Sequence, residues 1–435
     1  MPTIALATLG CKLNFAETSA LGKQFADRGY TPVDFGSPAD VTVINTCSVT
    51  ARADRECRQL IRRTLRASPS SVVIVTGCYA QLKPEEVASI DGVDFVMGTR
   101  EKASIAALVG DPSKQSSPQV RVSDIGASDG FGQAWSSEAG GRTRAFLKVQ
   151  DGCDYSCSFC TIPLARGPSR SQGIAETVRQ AEGLIADGYR EIVLTGVNVG
   201  DYGRKSGTDL VTLLRSLAHV EGIERLRISS IEPNLLTDEV IEFVASHGVL
   251  CRHFHIPLQS GSNEILRLMR RRYSAGQYAE RIRTVMENIP DCGIGVDVIV
   301  GFPGESDGHF RETCAFVADL PVSYLHVFSY SERPDTAAAR SSAVVDPLVR
   351  AERSRTLRGI GLRKKQEFYS RLVGKTVPVL LEADAENGCR CGFTANYVRV
   401  SVPEGDAPAN SIVDVAITGL EDDRCTGRVR EREAG

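Results

Sequence analysis

The stretch AFLKVQDGCDYSCSFCTIP, residues 145–163, decides how the rest of the chain is read. A β-type run, AFLKVQ, stops, and Cys153, Cys157 and Cys160 then fall within eight residues. The spacing C-x3-C-x2-C lets one loop grip three corners of an iron–sulfur cube. A structural zinc ion takes four ligands, usually as two close pairs. The nearest other candidates, His219 and Cys251, lie far along the chain. Gly152, Asp154, Tyr155 and Ser156 make this a loop after a strand, a poor place for cysteines that merely pack. Three protein ligands leave one metal position open, as catalytic metal sites do.

The surroundings of that loop repeat one pattern. AFLKVQ, EIVLTG, RLRISS, HFHIPL, IGVDVIVG and YLHVFS alternate with helical segments across 143–373. Six such units form an incomplete barrel, short of the eight that close a full one. The cysteine loop then lies at the C-terminal strand ends, where barrel active sites gather. Residues 1–110 show a separate alternation: TIALAT, VTVINT, VVIVTG and DFVMG around the helical segments 15–28, 51–67 and 84–89. This predicts an α/β domain with a parallel sheet. Residues 111–142, rich in Ser, Gly, Gln and Pro, read as a linker with little pattern beyond QVRVSDI. A basic helix is expected over roughly 346–372. Within 374–435, TVPVLLEA, GCRCGF, YVRVSV, IVDVAIT and TGRVRE predict a five-stranded β-barrel of the OB type.

With 435 residues, the chain exceeds one ordinary core. Its 42% apolar and 24% charged residues are those of a soluble globular protein. No apolar run approaches the roughly 20 residues a membrane helix needs. The start, MPTIALATLGCKLN, lacks a signal peptide's basic region and cleavage site, which predicts a cytoplasmic protein. Disulfides are rare there, so thirteen cysteines point first to metal or cluster chemistry. A net charge of −3 does not by itself indicate nucleic acid. Basic runs at Arg52–Arg66, Arg267–Arg272 and Arg350–Lys365 have helical spacing, and fit either solvated helix faces or an anionic partner.

Three stretches of the first domain share one feature. TIALATLGCK, VTVINTCSV and VVIVTGCYA each end a β run just before a cysteine: Cys11, Cys47 and Cys78. In a parallel sheet these emerge at one edge, where open α/β sheets bind cofactors. Buried cysteines that only pack are the alternative. Cys57, Cys251, Cys292 and Cys314 read as packing. Cys389 and Cys391 are too few for a metal site.

The cysteine loop after the first barrel strand, with Phe159 before its third cysteine, resembles the radical S-adenosylmethionine (SAM) superfamily. LGCKLN, INTCSV and VTGCYAQ resemble the N-terminal signatures of the methylthiotransferases within it. The likeness covers nearly the whole chain and implies a terminal TRAM barrel for RNA. It implies a 4Fe–4S radical cluster on Cys153, Cys157 and Cys160 and an auxiliary 4Fe–4S cluster on Cys11, Cys47 and Cys78. Two SAM molecules are implied, one donating methyl to sulfur and one cleaved to the 5′-deoxyadenosyl radical. An unactivated C–H bond offers no acidity, so a radical is needed.

The resemblance further implies cofactor contacts from Gly196 and Asn198, then Ser229, Ser230 and Glu232, then Gln259 and Ser260, then Asp297 and Gly301. A strand-end turn is the plainer reading of each. Arg166 and Arg170 are implied to hold substrate backbone or a cofactor carboxylate. ATLGCKLN, VTGCYAQ and EIVLTGVNVGDYG look most like the branch acting on tRNA threonylcarbamoyladenosine beside the anticodon. The isopentenyladenosine branch more often has Gln-Met where Lys12 and Leu13 stand, and the ribosomal-protein aspartate branch has a proline beside the first cysteine. The expected partners are a tRNA anticodon loop and an external low-potential electron donor, with the protein acting as a monomer. Arg390, Arg399, Arg424, Arg428 and Arg430 suit phosphates. Phe393 and Tyr397 either stack on a base or fill the small barrel. Outside the enzyme class, a two-cluster electron carrier or a tRNA-binding protein would share parts of this pattern.

Overall fold

The computed structural model describes residues 1–109, 113–127, 131, 132, 134 and 143–430. The first domain is built on the β-branched runs read from the sequence. Thr3–Thr8 (β1), Thr31–Val33 (β2), Val41–Thr46 (β3), Val72–Gly77 (β4), Phe95–Met97 (β5) and Gln119–Arg121 (β6) form one sheet ordered β2-β1-β3-β4-β5-β6. Every pairing in it is parallel. β3 and β4 are buried at every residue, as central parallel strands covered on both faces must be. Lys12–Ala26 (α1), Ala51–Ala67 (α2) and the single turn Cys78–Leu82 (α3) follow the strand ends. Within the stretch expected as linker, Gln119–Arg121 pairs with β5 and becomes the sheet's sixth strand.

The second domain starts with Arg144–Lys148 (β7). Gln150–Asp151 (β8) next pairs antiparallel with Arg170–Ser171 (β9), which folds the cysteine loop back on itself. Glu191–Thr195 (β10), Arg225–Ile228 (β11), His253–His255 (β12), Gly293–Val300 (β13) and Tyr324–Ser329 (β14) complete six parallel barrel strands. Parallel bridges Leu226–Leu250 and Ser230–His255 join its two halves. Among the described residues no pairing joins β14 back to β7, so the barrel is open there. One large apolar core lies between these strands and their outer helices. Inside the barrel wall, α1 of the first domain packs on β7 and β10: Phe15 meets Phe146 edge-on at 5.7 Å, and Ala16 sits against Phe146 and Val193.

The helix Pro347–Ser370, seen in the sequence as a basic run, covers β14 and leads into the last domain. Thr376–Glu386 (β15), Cys389–Thr394 (β16), Arg399–Pro403 (β17), Ile412–Glu421 (β18) and Arg424–Val429 (β19) close a barrel in the order β15-β16-β17-β19-β18. It docks under the N-terminal strand ends of the larger barrel. Arg225 donates to the carbonyls of Phe393 (2.8 Å) and Pro378 (2.9 Å), and Arg227 donates to that of Ala395 (3.0 Å). This is the end opposite the cysteine loop. No helix among the described residues is long and apolar enough to cross a membrane.

Candidate active site

Each cysteine of the first trio stands where a strand stops. Cys11 is the N-cap of α1, Cys47 follows β3 directly, and Cys78 opens α3. Since β1, β3 and β4 are parallel neighbours, their C-terminal ends deliver all three to one edge. Gly10 lies at φ +104°, and a Cβ there would fall 2.7 Å from Cys47 Cβ and 2.8 Å from its sulfur. Only glycine allows that turn and that approach. Burial pushes the Cys47 thiol up to about 12, and Cys78 and Cys11 nearby add to the rise. Burial raises Cys78 as well, while Arg166 and Lys102 oppose it. Cys57 is fully buried and donates its S–H to the Cys47 carbonyl at 3.3 Å, a packing role as expected.

The second trio lies on the loop between β8 and β9. Burial lifts Cys153 to about 11 and Cys160 to about 12, with the neighbouring sulfurs contributing. Three donors converge on these sulfurs: Tyr155 N–H on Cys153 (3.4 Å), Ile162 N–H on Cys160 (3.5 Å) and Arg271 Nη1 on Cys157 (3.2 Å). Arg271 also pairs with Glu232.

Thiols raised so far stay protonated at neutral pH unless a metal compensates their charge. The ligand atoms that do close to within 4.8 Å of one another, among the described residues, belong to His255, Asp297 and His326. The sulfurs of either cysteine trio are therefore spread wider than the ligands of a single ion. A wide all-sulfur set of three, with N–H donors aimed at it, fits a cube with metal at its corners.

One short helix joins the two trios. Ile162–Arg166 begins just after Cys160 and packs on α3, which begins at Cys78. From its end Arg166, 1% exposed, donates to Glu17 Oε1 (3.1 Å) and Oε2 (3.2 Å), to Asp151 (2.9 Å) and to Asn14 (2.7 Å). Lys102 (2.6 Å) and Lys148 (3.0 Å) also reach Glu17, and Lys148 (2.8 Å) and Arg170 (3.3 Å) reach Asp151. These cations hold both carboxylates below their usual range. Arg166 is thus committed to an internal ionic network between domains, which corrects its expected substrate role. Two carboxylates facing four cations leave a positive surplus, and it lies beside Cys78, where cluster thiolates would balance it. A second clamp ties the domains: Arg333, after β14, donates to Ser48 (2.7 Å) and Asp54 (2.8 Å) in the segment after Cys47.

The expected cofactor residues do line the C-terminal strand ends, in differing states. Phe159 meets Phe302 edge-on at 6.4 Å. A Cβ on Gly196 would lie 2.9 Å from Gln150 Oε1, so backbone and Gln150 are tightly joined there. Asn198 accepts from Glu232 N–H at 3.3 Å, while its buried Nδ2 has no partner. The buried Ser229 hydroxyl has none either. Ser230 Oγ lies 2.7 Å from His255 Nδ1, and Asp297 Oδ1 2.9 Å from His255 Nε2. Gln259 holds φ +68° and bridges to Val298. Ser260 is buried and bonded to Thr313 (3.2 Å) and Ser262 N–H (3.2 Å), and Gly301 N–H donates to Glu305 (3.1 Å). These bonds build the turns at the two strand ends.

Phe393 and Tyr397 stack on each other at 4.9 Å against the floor of the large barrel. Arg144 covers Phe393 (4.6 Å) and Arg227 covers Tyr397 (5.0 Å). Both rings pack at the interface between the two domains. Arg399 is half-buried near Asp423. Sequence reasoning missed Arg271 and the Asn14–Glu17 pair. The run RRRY announces the first only as positive charge.

Residues 147–317 match the radical SAM superfamily, and residues 3–98 match the family described as "Uncharacterized protein family UPF0004". Among solved structures, TsrM of Kitasatospora setae, a radical S-adenosylmethionine methyltransferase, superposes with a TM-score of 0.60 at 16% identity, covering 78% of this chain and 75% of that one. Fold and family match thus give the chain a radical SAM domain over residues 147–317. The threonylcarbamoyladenosine tRNA methylthiotransferase MtaB of Bacillus subtilis is 40% identical over 96% of this chain and 94% of its own length. The protein of the same name from Aquifex aeolicus is 39% identical over 95% of this chain and all of its own length. The chain belongs to the radical SAM methylthiotransferase family, and it is a transferase.

Proposed function

We propose that this enzyme converts threonylcarbamoyladenosine beside a tRNA anticodon to its 2-methylthio derivative. The observation that carries it is the pair of three-cysteine sites on two domains, joined through one short helix and each one ligand short of a closed set. Identity of 40% to a relative of that name supports the substrate.

In this reading Cys11, Cys47 and Cys78 hold the auxiliary 4Fe–4S cluster, and Cys153, Cys157 and Cys160 hold the radical one. Bound there with SAM, the clusters supply one-electron chemistry, hydrogen abstraction at an unactivated carbon and a sulfur to be methylated and transferred. The chain's own residues do the rest. Arg271 donates to Cys157 and so stabilises a thiolate on the radical loop. The unpartnered Asn198 amide and Ser229 hydroxyl are donors free for the cofactor's polar groups. Asp297 and Ser230 orient His255 from both sides. The Arg166 network fixes α1, and with it Cys11, against the radical loop, so the two sites keep one relative position. The small barrel's arginines take phosphates of the RNA, and an unpaired loop base is reachable without melting a duplex. A low-potential donor from outside completes the system, which works as a cytoplasmic monomer.

The test is nucleoside analysis after anaerobic turnover with SAM and a reductant. A tRNA bearing threonylcarbamoyladenosine gains the methylthio mark, and one bearing dimethylallyladenosine does not. The reverse result overturns the substrate assignment.

A further inference from the structure

The lumen beneath the two cysteine trios carries charge that cluster chemistry does not use. Lys12 follows Cys11 at the start of α1, and its side chain is exposed. It lies one helical turn before Phe15 and Ala16, on the same face of α1, and those two pack on Phe146 and Val193 inside the barrel wall. The space Lys12 faces is therefore inside the barrel and not on the outer surface. Among the described residues the Lys12 ammonium makes no hydrogen bond and no ion pair. The other charges nearby are spent. Arg144 pairs with Glu382 at 2.8 Å, and Arg227 holds Glu191 at 2.7 Å while donating to the small barrel's carbonyls.

His326 shares this space. It is exposed on β14, packs edge-on against His255 (5.6 Å) and Tyr324 (5.3 Å), and its ring makes no hydrogen bond among the described residues. With His255 and Asp297 it forms a compact polar group. Both nitrogens of His255 are already engaged, so this group reads as a hydrogen-bonding wall of the lumen and not as an ion's ligand set.

We propose that this lumen receives the N6 substituent of the target purine, with Lys12 binding the carboxylate of a threonylcarbamoyl group and His326 facing its polar middle. The inference rests on the methylthiotransferase reading above and adds the residue that sets its substrate. In adenine, C2 and C6 both flank N1, so a group on N6 starts only a few bonds from the carbon to be modified. Lys12 is likewise the immediate neighbour of Cys11, whose cluster must reach C2. One helix end thus places sulfur delivery and side-chain recognition side by side. A branched alkyl group in this lumen would leave the ammonium covered and unpaired, which disfavours it.

The test uses the loaded holoenzyme, its Lys12→Met and Lys12→Arg variants, and three tRNAs: threonylcarbamoyl, its neutral carboxamide analogue, and dimethylallyl. For the wild type, kcat/KM should fall about 10- to 100-fold from carboxylate to carboxamide, the loss of one charge-assisted contact. Lys12→Met should lose a similar factor on the carboxylate, mostly in KM, and barely distinguish it from the carboxamide. Lys12→Arg should recover part of the loss, with iron content unchanged in both. A wild type indifferent to the carboxamide overturns the proposal without any variant, as does a Lys12→Met enzyme that still discriminates. In both cases methylthiolation of the threonylcarbamoyl substrate persists, so the functional reading survives. Wild-type activity on dimethylallyl tRNA alone overturns both.

Discussion

Changing Glu17 to Gln keeps its shape and removes one negative charge from the network between α1 and the radical loop. Glu17 and Asp151 face Arg166, Lys102, Lys148 and Arg170, two carboxylates against four cations, all buried or nearly so. Glu17→Gln leaves one carboxylate with four cations, raising the surplus from two to three. Arg166→Met leaves two with three, lowering it to one, but deletes the four hydrogen bonds that Arg166 donates. Breaking a buried ionic group by removing one partner costs about 3–5 kcal/mol, and Glu17→Gln should fall in that range. For Arg166→Met, relief of repulsion offsets part of the lost bonding, leaving about 2 kcal/mol. The assay is urea unfolding of iron-free protein, where thiolates of a bound cluster do not enter the balance. The order of the two variants carries the reasoning. If Arg166→Met proves the more damaging, or Glu17→Gln stays within about 1 kcal/mol of wild type, the charge balance drawn here is wrong.

The same network sets an acid limit. Its cations hold Glu17 and Asp151 below their ordinary 4.5 and 3.8, so their stabilisation is complete above those values and fades as pH falls beneath them. Acid unfolding should begin below about pH 4, and Arg166→Met should flatten that slope. Gly10→Ala forces a Cβ onto Cys47 at a backbone angle alanine resists, so iron content should drop from about eight to about four while the radical cluster's spectrum persists. Arg271→Met removes the positive donor from Cys157 and strands Glu232, so the radical cluster should become harder to reduce, seen as a more negative potential in redox titration.

The placement of the two cysteine trios was legible because Cys11, Cys47 and Cys78 each follow a β run, which puts them at a sheet edge, and Cys153, Cys157 and Cys160 share one loop after a strand. Helix and strand periods likewise exposed the six barrel strands and the five of the terminal barrel. Gln119–Arg121 was left in the linker because the alternation in QVRVSDI is short and stands among Ser, Gly and Pro, and the edge strand it forms is three residues long and mostly exposed. Arg166 was read as a ligand-holding arginine because its partners Asn14 and Glu17 lie 152 and 149 residues away, a pairing no local pattern carries. Phe393 lies on β16 and Tyr397 in the turn that follows it, and only the docking of two domains shows what they face. Lys12 stood out in sequence as the neighbour of Cys11 and as one of two positions where the isopentenyladenosine branch more often has Gln-Met, but its place in the lumen depends on how α1 enters the large barrel.

Iron content with Mössbauer spectroscopy on anaerobically loaded protein tests the central claim most directly. Wild type should hold about eight irons in two 4Fe–4S environments. Replacing Cys11, Cys47 and Cys78 together with alanine should remove one environment, and replacing Cys153, Cys157 and Cys160 should remove the other. A wild type with about four irons, or a triple variant that keeps both environments, contradicts the account.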